Sequence, residues 1–310
     1  MRVLIALGGN AITGPDGDAA PDAQTEAITE AMESVADLVA AGVDVVLTHG
    51  NGPQVGNLLV KNELSAAVVP PVPLDWCGAQ TQGTIGFLIL DALDVALQRR
   101  SAVHPVAVVV TRTRVDADDP AFRKPTKPVG RYLPKAQAQV LIEHGQTWED
   151  RGERGWRRVV PSPEPLEILD VPAVRGLLGQ GFVPVAAGGG GIPVVRDDDG
   201  TLCGVEAVID KDLAAAVLGA ALDVDVLVIA TDVDNAVLGW GTPQARPLGP
   251  VSTAELRAHA AQGHFSSGSM GPKVEAALRF VERGGKRAII TSLHNIGPAV
   301  TGDAGTLVEP

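Results

Sequence analysis

Residues 224–230, VDVLVIA, constrain this chain more than any other stretch, because they carry one charge among large and β-branched apolar side chains. A strand with no polar face reads as buried on both sides, as in a parallel sheet covered by helices. Residues 213–222, LAAAVLGAAL, favour a helix, and GVEAVI before them reads as another strand. Residues 204–234 thus read as a strand–helix–strand unit with charge only at its junctions. Asp210-Lys211-Asp212 marks the first junction and Thr231-Asp232-Val233-Asp234 the carboxyl end of the second strand. Open α/β sheets bind ligands at such carboxyl ends. A helix start adds free N–H groups and the positive end of a dipole, which suit phosphate. Two aspartates fit that position electrostatically, whereas Lys211 runs against it and needs another reason. On these residues alone, capping aspartates beside a solvated lysine remain an open alternative.

The same pattern recurs along the chain. A strand over residues 3–7 runs into Gly8-Gly9-Asn10-Ala11, and one over 43–47 runs into Thr48-His49-Gly50-Asn51-Gly52-Pro53-Gln54. A third, over 182–186, runs into Gly188-Gly189-Gly190-Gly191. Glycines after an apolar strand let a ligand lie against the backbone, although tight turns would also use them. Helical periodicity covers residues 24–41, 79–99, 171–180, 252–262 and 274–283, and further strands are expected at 106–110, 286–291 and 305–308. The expected class is therefore α/β. His49 reads as a packed strand-end histidine rather than an acid or base.

Residues 111–165 break this regularity. They are rich in proline, hold Trp148 and Trp156, and show one helical run at 134–144. Between Arg112 and Arg158 stand eleven Lys/Arg and seven Asp/Glu, a local balance of +4 against −16 in the remainder. A basic insert over 112–165 in an acidic protein suits a small anionic ligand or a solvated arm. The net charge of −12 and the 3% aromatic content argue against nucleic acid and anionic membrane as partners. No apolar run is long enough to span a bilayer. Cys77 and Cys203 lack metal-ligand spacing and read as buried small residues, which fits a reducing cytoplasm. The 310 residues suffice for one large α/β domain or two modest ones.

Lysine is scarce, seven against eighteen arginines, yet Lys127, Lys211 and Lys273 all fall in Gly-, Pro- or Asp-rich junctions. Glycine turns at strand ends with lysines at two helix starts describe a polyphosphate site. The chain has no Walker sequence, protein-kinase motif, GxGxxG before the first helix or zinc spacing. Phosphoryl transfer asks chiefly for positioning and charge neutralisation. Glycine amides, ammonium groups and Mg2+ held largely by substrate phosphates would supply both, and no protein metal site is expected.

LGGNAI, LTHGNGPQVG, PLDWCGAQTQGTIG, PTKPVG, RRVVPSPEP, AAGGGGIPV, GVEAVIDKDLAA, TDVD and GSMGPKVEAA occur in this order. The set resembles carbamate kinases of the amino-acid kinase superfamily, from residue 3 to about 309. Other superfamily members carry a lysine two residues before the glycine pair, where this chain has Ala6. In carbamate kinases the DKD lysine, here Lys211, takes that role. The resemblance implies a three-layer α/β/α sandwich around a mostly parallel, about eight-stranded open sheet, with a small protruding lid over 112–165, and a homodimer. It implies reversible transfer between carbamoyl phosphate plus ADP and carbamate plus ATP, with Mg2+. Lys211 and Lys273 would flank the moving group, Asp212 would orient them, and Lys127 would reach in from the lid. Gly8, Gly9, Asn10, Asn51 and Gly52, joined by Gly189 and Gly190 from the glycine run, would take carbamoyl phosphate. Thr231, Asp232, Val233, Gly268, Met270 and Lys273 would line the nucleotide. Residues 1–225 would then form the carbamoyl phosphate half and 226–310 the nucleotide half. The chain departs from the pattern at Asn235-Ala236-Val237, where aromatic residues are common, and at Arg131 after PTKPVG. A superfamily kinase for another small acid and a non-catalytic phosphate sensor are the competing readings. Retention of all three junction lysines and Asp212 disfavours the sensor.

Overall fold

The computed structural model describes residues 1–9, 12–13, 20–265 and 270–310. Side-chain alternation decides the architecture. Along the Arg2–Leu7 strand, Val3, Ile5 and Leu7 enter one apolar layer while Leu4 and Ala6 enter another. Val226–Thr231 repeats this, with Val226, Val228 and Ala230 on the first side and Leu227 and Ile229 on the second. Each face therefore needs its own cover. Pro21–Ala40, Leu74–Arg99 and Ile296–Thr301 supply one layer, and Lys211–Ala221, Met270–Glu282 and Thr253–Ala261 the other. The result is a three-layer α/β/α sandwich.

Among the described residues the central sheet has eight strands, in the order Val251–Ser252, Thr306–Glu309, Arg287–Ser292, Val226–Thr231, Arg2–Leu7, Asp44–His49, Val183–Val185, Val106–Val108. Its pairs are parallel except Arg287–Ser292 with Thr306–Glu309. From Arg2–Leu7 the chain first builds outward through Asp44–His49, then returns to add Val226–Thr231 on the other side. That reversal makes a crevice at the carboxyl ends of these strands. Residues 1–225 and 226–310 share this one sheet, since Val226–Thr231 is hydrogen-bonded directly to Arg2–Leu7.

Several expectations are corrected. Residues 205–210 form no strand: the hairpin partner of Ile192–Arg196 ends at Gly204. Beyond it the backbone N–H groups of Val205, Ala207 and Val208 donate to Pro193, Val205 and Pro161, three scattered partners that cannot make a ladder. Cys203 is exposed rather than buried, with Sγ 3.3 Å from Asp197 Oδ2, while Cys77 is buried. The helices expected to begin at 79 and 274 begin at Leu74 and Met270.

Within the basic segment, Arg112–Arg114 joins a second sheet beside Ile192–Arg196. Lys127–Leu133, Trp156–Val160 and Trp148–Asp150 form a separate antiparallel sheet, accompanied by the helix Lys135–Glu143. Val129 and Val160 seat this sheet on Val55, Leu59 and Leu74, and burying each such side chain stabilises by roughly 1.5–3 kcal/mol. No helix among the described residues is long and apolar enough to cross a membrane.

Candidate active site

The glycine turns meet at the crevice. Gly8 N–H donates to Ala230 O and Gly50 N–H to Leu7 O, each at 2.8 Å, so the ladder carries both turns to the same place. A Cβ on Gly50 would lie 2.6 Å from the Gly9 nitrogen and 3.3 Å from Lys211 Cδ. Only a glycine lets the turns touch with the lysine stem against them. The cleft above them has a volume of about 680 Å3. Three helix starts border it: Gly52–Ser65 at Asn51 and Gly52, Lys211–Ala221, and Met270–Glu282. Their converging N-termini favour negative charge.

Lys211, Asp212 and Lys273 form one charged cluster on the cleft wall. Asp212, 3% exposed, accepts from Lys273 Nζ at 3.2 Å through one oxygen and from Lys211 Nζ through the other. Burial alone would raise the Asp212 carboxyl, but the Lys211 and Lys273 charges hold it below the ordinary carboxylate value. Burial pushes Lys211 down, Asp212 opposes this, and Lys273 adds to it. Asp210 caps the helix, its Oδ1 accepting from Asp212 N–H at 2.9 Å and Leu213 N–H at 3.3 Å. Lys127 enters from the small sheet and donates to Ile209 O at 3.0 Å, with Asp210 Oδ2 at 3.4 Å.

Gly8, Gly9, Asn51, Gly52 and Gly189 line the same cleft, as do Thr231, Asp232, Val233 and Met270. Asn10 and Gly268 lie outside the described residues. Gly190 sits behind the wall, where a Cβ would come within 2.9 Å of Ile209 O. A Cβ on Gly189 would overlap the Asn51 amide, and one on Gly188 the His49 ring, so the glycine run packs onto the His49–Asn51 turn. Asn51 Nδ2 donates to Thr81 Oγ1 at 2.9 Å. His49 is buried and neutral, pushed by that burial to about 4. Asp234 turns away to accept from Ser292 Oγ at 2.6 Å and Asn295 Nδ2 at 2.9 Å. Val237, Trp240, His264 and Phe265 also line the cleft. Of these, His264 and Phe265 escaped the sequence reading, although an aromatic just before the GSMGPK motif is a signal in so aromatic-poor a chain.

The amino acid kinase family model matches residues 1–292. A carbamate kinase of Thermococcus kodakarensis is 46% identical over 311 residues, covering 99% of this chain and 98% of that protein. Carbamate kinase 2 of Enterococcus faecalis is 44% identical over 309 residues, covering 99% and 98%. The solved structure of a Giardia lamblia carbamate kinase bound to AMP-PNP superposes with a TM-score of 0.93 at 40% identity, covering 99% of this chain and 98% of that one.

Proposed function

The chain belongs to the amino acid kinase family, and on that premise we propose that it acts as a carbamate kinase, moving a phosphoryl group reversibly between carbamoyl phosphate and ADP. One observation carries the reading: a buried carboxylate, Asp212, holds the ammonium groups of Lys211 and Lys273 together at the cleft wall. In ATP formation a β-phosphate oxygen of ADP bonds to phosphorus as the bond to the carbamoyl oxygen breaks, and carbamate leaves with that electron pair. Charge spreads over the equatorial oxygens of the moving group. Two fixed ammonium groups neutralise it without reorganising during the reaction. Burial lowers the affinity of Lys211 for its proton, and the Asp212 carboxylate opposes that effect.

Gly8, Gly9, Asn51, Gly52 and Gly189 would take carbamoyl phosphate, with Asn10 joining them by resemblance. Lys127 would approach that end from the insert, which closes as a lid and excludes water. Thr231, Asp232, Val233 and Met270 would hold the nucleotide, with Gly268 joining by resemblance and Trp240 and Phe265 offering the base apolar faces. The AMP-PNP on the Giardia lamblia relative supports a nucleotide substrate. Mg2+ would arrive on the nucleotide phosphates.

A homodimer would have a surface to form on. Trp76 and Phe87 are 60% and 56% exposed on Leu74–Arg99 and lie about three turns apart on one face. A monomer in sedimentation equilibrium would end that part of the proposal. The unpaired cysteines fit a cytoplasmic protein. The function itself is tested by ATP formation from purified protein, ADP, Mg2+ and carbamoyl phosphate, with acetyl phosphate as the comparison. A protein that binds ADP yet makes no ATP from carbamoyl phosphate would overturn the reading.

A further inference from the structure

We infer that Asp210 is a positioning residue for Lys127, so that phosphoryl transfer depends on its charge as well as on its capping oxygen. The inference rests on the reading of Lys127 as the lysine that meets the carbamoyl phosphate end. The two oxygens of Asp210 face different partners. Oδ1 closes the start of the Lys211–Ala221 helix through the N–H groups of Asp212 and Leu213, at 2.9 and 3.3 Å. Oδ2 faces Lys127 Nζ at 3.4 Å, and the neighbouring Ile209 carbonyl accepts from the same nitrogen at 3.0 Å. That carbonyl is itself fixed: it lies against Gly190, and the Ile209 side chain is 1% exposed.

Lys127 is thereby docked onto two consecutive residues that lead directly into Lys211 and Asp212, although 83 positions separate it from Asp210. An ammonium has three protons. With two directed at Ile209 and Asp210, the third is left for the cleft that Lys127 lines. Because the same carboxylate caps the helix, Lys127 is registered against the helix turn that carries the other two lysines' partner. The rest of the insert's seat is an apolar patch around Val129 and Val160, which holds the sheet at those two side chains but neither orients a lysine head group nor clamps the first strand at its Lys127 end. A cap alone would not require a carboxylate, because asparagine and serine cap as well as aspartate. The charge serves Lys127.

The test follows from that difference. Asp210→Asn keeps an oxygen for the helix N–H groups and turns an amide nitrogen toward Lys127. The melting temperature should hardly change. At saturating ADP, kcat/KM for carbamoyl phosphate should fall roughly tenfold, the scale of one charged hydrogen bond. In a Lys127→Ala background the same substitution should cost less than about twofold, since coupled residues are non-additive. Full activity of Asp210→Asn, or an equal loss in both backgrounds, overturns the inference. Hydrogen exchange of the ligand-free protein gives an arm independent of activity. Residues 127–133 should exchange faster in Asp210→Asn while 211–221 keep their protection. Unchanged exchange at 127–133, or loosening confined to 211–221, would return Asp210 to a cap. If the wild type made no ATP from carbamoyl phosphate, the functional reading would fail, and the exchange arm would still decide whether Asp210 holds Lys127.

Discussion

Replacing Asp212 by asparagine probes the centre of the proposed chemistry most directly. The substitution keeps the shape of the side chain and removes the charge that two ammonium groups share. At an effective dielectric of about 20, a carboxylate and an ammonium 3.2 Å apart attract by about 5 kcal/mol before desolvation. Removing one partner of a buried pair costs about 3–5 kcal/mol, because the other charge stays behind unpaired. Here two like charges are left together, and burial and Lys273 already depress Lys211. The unfolding entropy of 310 residues is about 0.65 kcal/mol/K, so a loss of about 4 kcal/mol lowers Tm by about 6 °C. The rate should fall further than stability, by on the order of a hundredfold or more in kcat, the scale seen when a preorganised transition-state donor is lost. Calorimetry and steady-state ATP formation measure the two effects on one preparation. A Tm drop with kcat intact would make Asp212 purely structural, and an unchanged Tm would refute the electrostatic reasoning itself.

Lys211→Ala and Lys273→Ala should each lower kcat by on the order of a hundredfold or more while the far-ultraviolet spectrum stays native; near-normal kcat in Lys211→Ala would leave that lysine as no more than a structural partner of Asp212. Lys127→Ala should raise KM for carbamoyl phosphate and lower kcat, with little change in calorimetric ADP affinity, and equal weakening of both substrates would refute its assignment to the carbamoyl phosphate end. His49, at about 4 when folded, binds a proton less readily than the unfolded imidazole near 6.5, so its contribution to stability is present above 6.5 and is lost as pH falls toward 4. At about pH 5 that loss is about 2 kcal/mol relative to about pH 8, so the stability advantage of wild type over His49→Gln in urea should shrink by that amount. An advantage independent of pH would show that the ring is not held neutral.

Local chemistry made much of this protein legible in advance. Nearly continuous apolar runs such as 224–230, with a single charge, read as strands covered on both faces, so the α/β class followed from composition and period, while the three layers were implied by the resemblance. Lys211 and Lys273 stand where a helix dipole disfavours them, and such misplacement is visible without coordinates. Local patterns do not specify partners, however. Arg2–Leu7 pairs with Val226–Thr231 across more than two hundred residues, and that choice creates the crevice. Residues 205–210 have the composition of a strand, yet no neighbour offers them a continuous row of backbone groups, so they remain irregular. Gly188–Gly190 read as a ligand cradle, whereas their packing on His49, Asn51 and Ile209 depends on a turn from a distant part of the chain. The contact between Lys127 and Asp210 is likewise set by how the small sheet seats on Val55 and Leu59. Side-chain type and period fix which face is buried because those are properties of single segments. Which segments meet, and therefore which charges share one cleft, is settled only when the whole chain closes around its two apolar layers.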